Sequence, residues 1–151
     1  MRILRTKSEE ETISLGKKIG AKLDGGDLLL LKGDLGGGKT TISKGIVAGL
    51  GAKEDVTSPT FTIEQIYKGK NDIYIFHYDF YRLFGGDIAE FEFLENLNSD
   101  KAVVLVEWPE NLEADLPHER IEIILTFINE TTREIQIKTF GAKYQNLLGD
   151  L

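Results

Sequence analysis

The sequence predicts an α/β fold with a mixed sheet and flanking helices, on three observations. A continuous apolar run, Leu28 to Leu31, leads directly into a glycine-rich loop, GDLGGGKTT at 33–41. A second run, AVVLVE at 102–107, has the pattern of a central parallel strand buried on both faces. Other segments alternate apolar and polar residues, as strands with one exposed face do. The 151 residues suit a single domain, 1–151, long enough to bury roughly two-thirds of its unfolded surface without disulfides or metal staples.

Each element has its own signal. Ser8 followed by Glu11 is a capping-box pattern, and Ile13, Ile19 and Leu23 recur at near-helical spacing, predicting a helix over 8–23. Gly25-Gly26 breaks it, and DLLLLK at 27–32 is the first central strand. Beyond the glycine loop Ile42, Ile46 and Leu50 repeat every four residues, predicting a helix over 40–50 that closes at Gly51. FTIEQIY (61–67) and DIYIFHYDF (72–80) flank a KGKND turn and form a hairpin. A helix over 87–97 presents Ile88, Phe91 and Leu94, and the strand 102–107 follows. Ile121, Ile123, Leu125 and Phe127, an NETT turn, then Ile135 and Ile137 make a closing hairpin.

Composition excludes several classes. With no cysteine, disulfides, thiolate zinc sites and a cysteine nucleophile are ruled out, which points to a reducing, cytoplasmic setting. The start, MRILRTKSEEET, turns acidic before any apolar stretch appears, and the longest hydrophobic run is too short for a bilayer, so neither an export signal nor a membrane anchor is expected. The net charge of −7 makes unaided binding to nucleic acid electrostatically poor.

The loop fits G-x-x-x-x-G-K-[ST], the phosphate-cradling pattern, in its required context of strand, loop and helix. Opening at Gly33, it predicts a concave nest of backbone N–H groups over Gly36, Gly37, Gly38, Lys39, Thr40 and Thr41, at a helix N-terminus whose dipole favours anions. Lys39, expected to be exposed, reaches the β- and γ-phosphates of a nucleotide, and the Thr40 hydroxyl coordinates Mg²⁺. A carboxylate at the end of a neighbouring strand completes such a site, and Asp79 and Glu107 compete for the role. Glu107 ends the more continuously apolar strand and is assigned to the magnesium shell, through water; Asp79 orients the attacking water or a second magnesium-bound one. Ser58, Thr60 and Thr62 of VTSPTFT offer hydroxyls to the γ-phosphate or form a plain turn. His77 reads as a hydrogen-bonded core residue and Trp108 as packing. No acyl-transfer triad suggests itself, and two histidines are too few for a zinc site.

Taken together, GDLGGGKTT, SPTFT (58–62), HYDFYRL (77–83) and VEWPE (106–110) resemble the TsaE family, formerly YjeE, over nearly the whole chain. The resemblance implies a small P-loop ATPase that acts with TsaD and TsaB to install threonylcarbamoyladenosine in tRNAs reading codons that begin with A. It implies Thr40 and Glu107 at magnesium, Lys39 on the phosphates, Asp79 as an essential acid and SPTFT as a switch-like loop. It further implies that Thr6 and Arg133 approach the nucleotide. Gly37 departs from the family, which usually has alanine there. Two other classes stay open. A small-molecule kinase normally needs several arginines over the phosphoryl group, and this chain has five, scattered. A guanine-nucleotide switch module normally shows an N-K-x-D motif, which is absent.

Overall fold

Four strands running in one direction form the middle of a seven-stranded sheet in the computed structural model of the chain, which describes residues 1–34, 38–53, 64–81, 88–111 and 116–151. The elements in chain order are β1 (Arg2–Thr6), α1 (Glu9–Ala21), β2 (Leu28–Gly33), α2 (Lys39–Gly49), β3 (Glu64–Lys68), β4 (Tyr74–Asp79), α3 (Ile88–Asn96), β5 (Ala102–Glu107), β6 (Arg120–Phe127) and β7 (Arg133–Phe140). The strand order is β1-β7-β6-β2-β5-β4-β3. β6, β2, β5 and β4 are mutually parallel, and β7, β1 and β3, each antiparallel to the strand it joins, extend the sheet at its two sides. Parallel strands end at the same edge, so Gly33, Asp79 and Glu107 are gathered there.

The apolar runs explain the layering. Leu29 and Leu31 face a core shared with α1 and α2, while Leu28 and Leu30 face a second core on the opposite side. β5 divides in the same way, with Val103 and Leu105 on one side and Val104 and Val106 on the other. This is the two-sided burial that a continuous apolar strand predicts.

Ser8 caps α1 by accepting from the Glu11 N–H at 3.1 Å, while the Glu11 carboxylate accepts from Lys7 N–H at 2.6 Å. That is the predicted capping box, shifted by one residue at its return bond. The face that α1 buries is Thr12, Leu15, Gly16, Ile19 and Gly20. Ile13 is only half-buried. The two glycines let α2 approach closely: a Cβ on Gly45 would lie 2.2 Å from the Ile13 carbonyl oxygen and 2.9 Å from the Gly16 Cα. Contact at backbone distance locks the helix that carries Lys39 against α1.

Three differences from expectation stand out. The strand β1 was not anticipated, because RILRT mixes charges with apolar residues and Ile3 stays exposed at the sheet edge. The hairpin β3/β4 is present, though residues 61–63 of its expected first strand lie outside the described residues. Among the described side chains of α3 the buried one is Phe93, while the expected Phe91 and Leu94 are 63% and 38% exposed; the side chain of Ile88 lies outside those described. Phe93 is turned inward by Tyr78 and Phe80, whose rings lie 5.4 and 5.6 Å from its own.

The C-terminal segment is fastened beside the start of β2. Buried Asp27 accepts from Tyr144 Oη at 2.8 Å and from Lys143 Nζ at 2.6 Å, and its other oxygen accepts from the Asp24 N–H at 2.7 Å. No helix among the described residues is long and apolar enough to cross a membrane.

Candidate nucleotide and metal site

At the end of β2 the chain turns with Gly33 at φ +147°, where a Cβ would meet the Leu125 carbonyl oxygen at 2.6 Å. Only glycine passes so close to β6. Gly38, at φ +103°, is the N-cap of α2, and Lys39, Thr40 and Thr41 form its first turn. Gly36 and Gly37 lie outside the described residues, as do Ser58, Thr60 and Thr62.

Lys39 corrects the expectation of an exposed side chain, since it is 5% exposed. Its ammonium donates to the Gly33 carbonyl and, at 3.4 Å, to the Asp34 carbonyl, so it folds back under the loop it belongs to. It also sits 3.9 Å from the centroid of the Trp108 ring, a cation–π arrangement. Burial pushes its pKa below the ordinary lysine value, and the charges of Glu107, Asp79, Glu110 and Asp34 act in the opposite direction. Trp108 has left-handed backbone, φ 59°, directly after β5. That is unusual for a bulky residue. Its ring also packs against Tyr81, 4.9 Å between centroids. The expected packing role is thus present, but its object is the ammonium of the loop lysine.

Asp79 and Glu107 both end their strands and are paired across the parallel β4/β5 ladder, with the Phe80 N–H bonded to the Glu107 carbonyl at 3.0 Å. Burial raises the Asp79 pKa above the ordinary carboxylate value and the charge of Glu107 adds to the rise. The hydrogen bond from Tyr81 N–H, 3.0 Å to Oδ1, and the His77 and Lys39 charges offset it. Glu107 is 3% exposed, and its Oε2 lies 2.6 Å from Nε2 of fully buried His77. A carboxylate oxygen only accepts, so the histidine N–H is the donor. His77 is the hydrogen-bonded core residue that its place in the strand implied. Its partner could not be read from the sequence, because alternation shows which face His77 occupies and says nothing of what lies across the ladder.

Thr6 and Arg133 are themselves a register pair, across β1 and β7. Thr6 is buried and its hydroxyl bonds that of Thr12 at 2.6 Å. Arg133 donates to the carbonyls of Asn129 and Thr132, at 2.6 and 3.0 Å, and its Nε is 3.7 Å from where a Cβ on Gly38 would stand. A cleft of about 180 Å³ runs between these elements, lined by Ser8, Glu9, Thr12, Gly38, Thr41, Glu130, Thr131 and Arg133. Thr6 reaches the cleft only through Thr12, while Lys39, Asp79 and Glu107 do not line it. The structure therefore places two regions around the start of α2. The cleft lies toward the β6–β7 turn, and the carboxylates lie at the ends of β4 and β5.

The donor set suits Mg²⁺. Among the described residues no three His, Cys, Asp or Glu side chains form a metal cage. Mg²⁺ needs none, since it keeps several waters and takes one or two protein oxygens together with substrate phosphates. The half-buried Thr40 on the first turn of α2 and the carboxylate of Glu107 offer oxygens of the type such an ion takes.

Known proteins supply an independent comparison. The family model described as "Threonylcarbamoyl adenosine biosynthesis protein TsaE" matches residues 6–135. A Bacillus subtilis protein named tRNA threonylcarbamoyladenosine biosynthesis protein TsaE is 40% identical over 149 residues, covering 97% of this chain and 91% of its own. A Nostoc protein of the same name is 33% identical, covering 93% and 87%. The crystal structure of Bacillus subtilis YdiB superimposes with a TM-score of 0.76 at 35% identity, over 99% of this chain and 92% of that one. A family match over most of the length, agreement with relatives from end to end and a shared fold lead to one conclusion: the chain belongs to the TsaE family.

Proposed function

We propose that this chain is a Mg²⁺-dependent P-loop ATPase that works with TsaD and TsaB in the threonylcarbamoyladenosine modification of tRNAs reading codons that begin with A. The observation that carries the reading is the convergence of Lys39, at the start of α2, with Asp79 and Glu107 at the ends of two parallel strands. Lys39 offsets only one of the two carboxylates, so a divalent cation, together with the polyanion that it and the lysine would hold, completes the charge balance of the set. The relatives' names supply the pathway.

In this reading the phosphates of ATP lie against the N-terminus of α2, where unpaired N–H groups and the helix dipole favour anions. Lys39 exchanges the carbonyls of Gly33 and Asp34 for phosphate oxygens. Thr40 and Glu107 hold Mg²⁺, which when bound neutralises charge on the phosphates. Asp79, with its raised pKa, accepts a hydrogen bond from the attacking water and orients it. The cleft beside Gly38 takes the nucleoside, with Arg133 and the hydroxyls that include Thr12 along its walls. The net charge of −7 argues that tRNA is reached through the partners, in the cytoplasm, and not by this chain directly.

A titration of phosphate release and tRNA gel shift, with each component omitted in turn and ATP compared with GTP, tests the reading. Slow ATP hydrolysis by the chain alone, changed by TsaD and TsaB, with sustained tRNA modification only in the complete mixture, is the expected result. Tight tRNA binding by the chain alone, with TsaD and TsaB leaving nucleotide affinity and turnover untouched, would overturn it.

A further inference from the structure

We infer that His77 is a positioning residue for Glu107: its imidazole N–H pins one carboxylate oxygen, so that the other is presented toward the divalent cation at the start of α2. The inference rests on the magnesium reading above. It starts from register. β4 and β5 run parallel, with His77 opposite Leu105 and Asp79 opposite Glu107. Ile75 and Leu105 belong to the core under α1 and α2, so alternation places His77, Asp79 and Glu107 on that same side. The His77 bond runs diagonally up the ladder, from two residues below Asp79 to the carboxylate of Glu107, at 2.6 Å. One strand therefore carries both the acid beside Glu107 and the donor that holds it.

Burial makes the bond matter. A carboxylate that is 3% exposed must be hydrogen-bonded, and Oε2 is satisfied by Nε2. Oε1 takes no part in this bond. The other ring nitrogen, Nδ1, is buried without a hydrogen-bond partner among the described residues. A side chain present only to fill the core would carry no orphaned nitrogen, because an aliphatic group fills the same volume without that cost. The ring is oriented by Glu107, to whose carboxylate the Nε2–H donates. A donor of this kind fixes a ligating carboxylate, and removing one commonly costs ten- to a hundredfold in metal affinity.

The experiment measures ADP affinity by calorimetry with and without Mg²⁺, beside thermal unfolding, in the wild-type chain and in His77→Leu, His77→Asn, His77→Gln and Glu107→Gln. A glutamine amide nitrogen sits near the Nε2 position and keeps the donor; an asparagine amide falls short of Glu107. Expected are Leu and Asn variants whose magnesium-free ADP affinity stays within about twofold of wild type, while the enhancement by Mg²⁺ falls about tenfold or more. His77→Gln recovers most of it. On the Glu107→Gln background, His77→Asn adds nothing further.

A purely structural histidine would lower magnesium-free affinity and thermal stability alike, and Gln would be no better than Leu. That result overturns the inference. Should His77→Leu not fold, His77→Asn against His77→Gln decides the same question. If the wild type binds ADP equally with and without Mg²⁺, the magnesium reading falls and takes the inference with it. If the wild type depends on Mg²⁺ and folded His77→Asn keeps that dependence, only the role of His77 falls.

Discussion

Asp79 and Glu107 stand opposite each other at the last rung of the parallel β4/β5 ladder, on the same side of the sheet, yet their surroundings differ. Glu107 is almost fully buried and bonded by His77, whereas Asp79 is half-buried and takes its hydrogen bond from the Tyr81 backbone. Two like charges at neighbouring positions with unlike surroundings are suited to two roles.

The first prediction separates those roles. Glu107→Gln raises the Mg²⁺ concentration needed for half-maximal ATP hydrolysis about tenfold or more, while Asp79→Asn leaves it near wild type and lowers turnover about a hundredfold. Magnesium titrations of phosphate release check both. The reverse pattern would exchange the assignments.

Asp79 also predicts a pH dependence of stability. Its pKa is raised in the folded protein, so the folded state holds the proton more tightly than the unfolded one. The contribution to stability is fully present below the unfolded carboxyl pKa, near 4, and is lost as pH rises through the higher folded value. Asp79→Asn therefore raises the melting temperature at pH 7 and narrows its gap to wild type at pH 3.5. Thermal melts across that range, without nucleotide, test it; a destabilised Asn variant at pH 7 contradicts it.

Trp108 is the sole tryptophan and its ring covers the Lys39 ammonium. If Lys39 leaves the Gly33 and Asp34 carbonyls for phosphate, Trp108 loses that cation and its emission changes when Mg·ADP is added. Lys39→Ala abolishes productive nucleotide binding and the emission change, while far-ultraviolet circular dichroism stays that of wild type. An unchanged magnesium-dependent affinity in Lys39→Ala would remove the P-loop reading.

The contact of α1 with α2 leaves no room for a methyl group. In Gly45→Ala the new Cβ meets backbone and not a movable side chain, so the helices must separate. Overpacking of this kind costs about 1–3 kcal/mol, offset in part by about 1 kcal/mol of helix propensity. The expected net is a melting temperature lower by several degrees. A higher value would mean that the helices adapt freely.

At the C-terminal end, Tyr144→Phe removes the hydroxyl donor to buried Asp27 and should lower stability by about 1.5–3 kcal/mol, the range for hydrogen bonds to charged groups. Urea denaturation measures it. A change under 0.5 kcal/mol would show that Lys143 and the Asp24 N–H suffice for Asp27.

Local chemistry made much of the fold legible. Leu28–Leu31 and the run AVVLV at 102–106 are apolar at every position, which only a strand covered on both faces accommodates, so β2 and β5 needed no knowledge of their neighbours. Ile42, Ile46 and Leu50 give α2 its phase, and all three are fully buried. In α3, by contrast, apolar residues lie on both faces, and the aromatic pair Tyr78 and Phe80 decided that Phe93 turns inward. β1 carries too few apolar residues to announce itself and exists by pairing with β7, more than a hundred residues away.

For the site, sequence alone determined the residue types: the loop glycines, the lysine and threonine at the head of α2, and an acid at the end of each of two strands. These follow from short-range pattern, because loop geometry and strand ends are local properties. Tertiary structure decided how they meet. It tucked Lys39 beneath its own loop and against Trp108, set His77 on Glu107, and put Thr6 across from Arg133. Apart from the bond of Lys39 to its own loop, these contacts join residues far apart in the chain, and their partners are chosen by strand order and register, which the packing of the whole sheet sets and no single segment encodes.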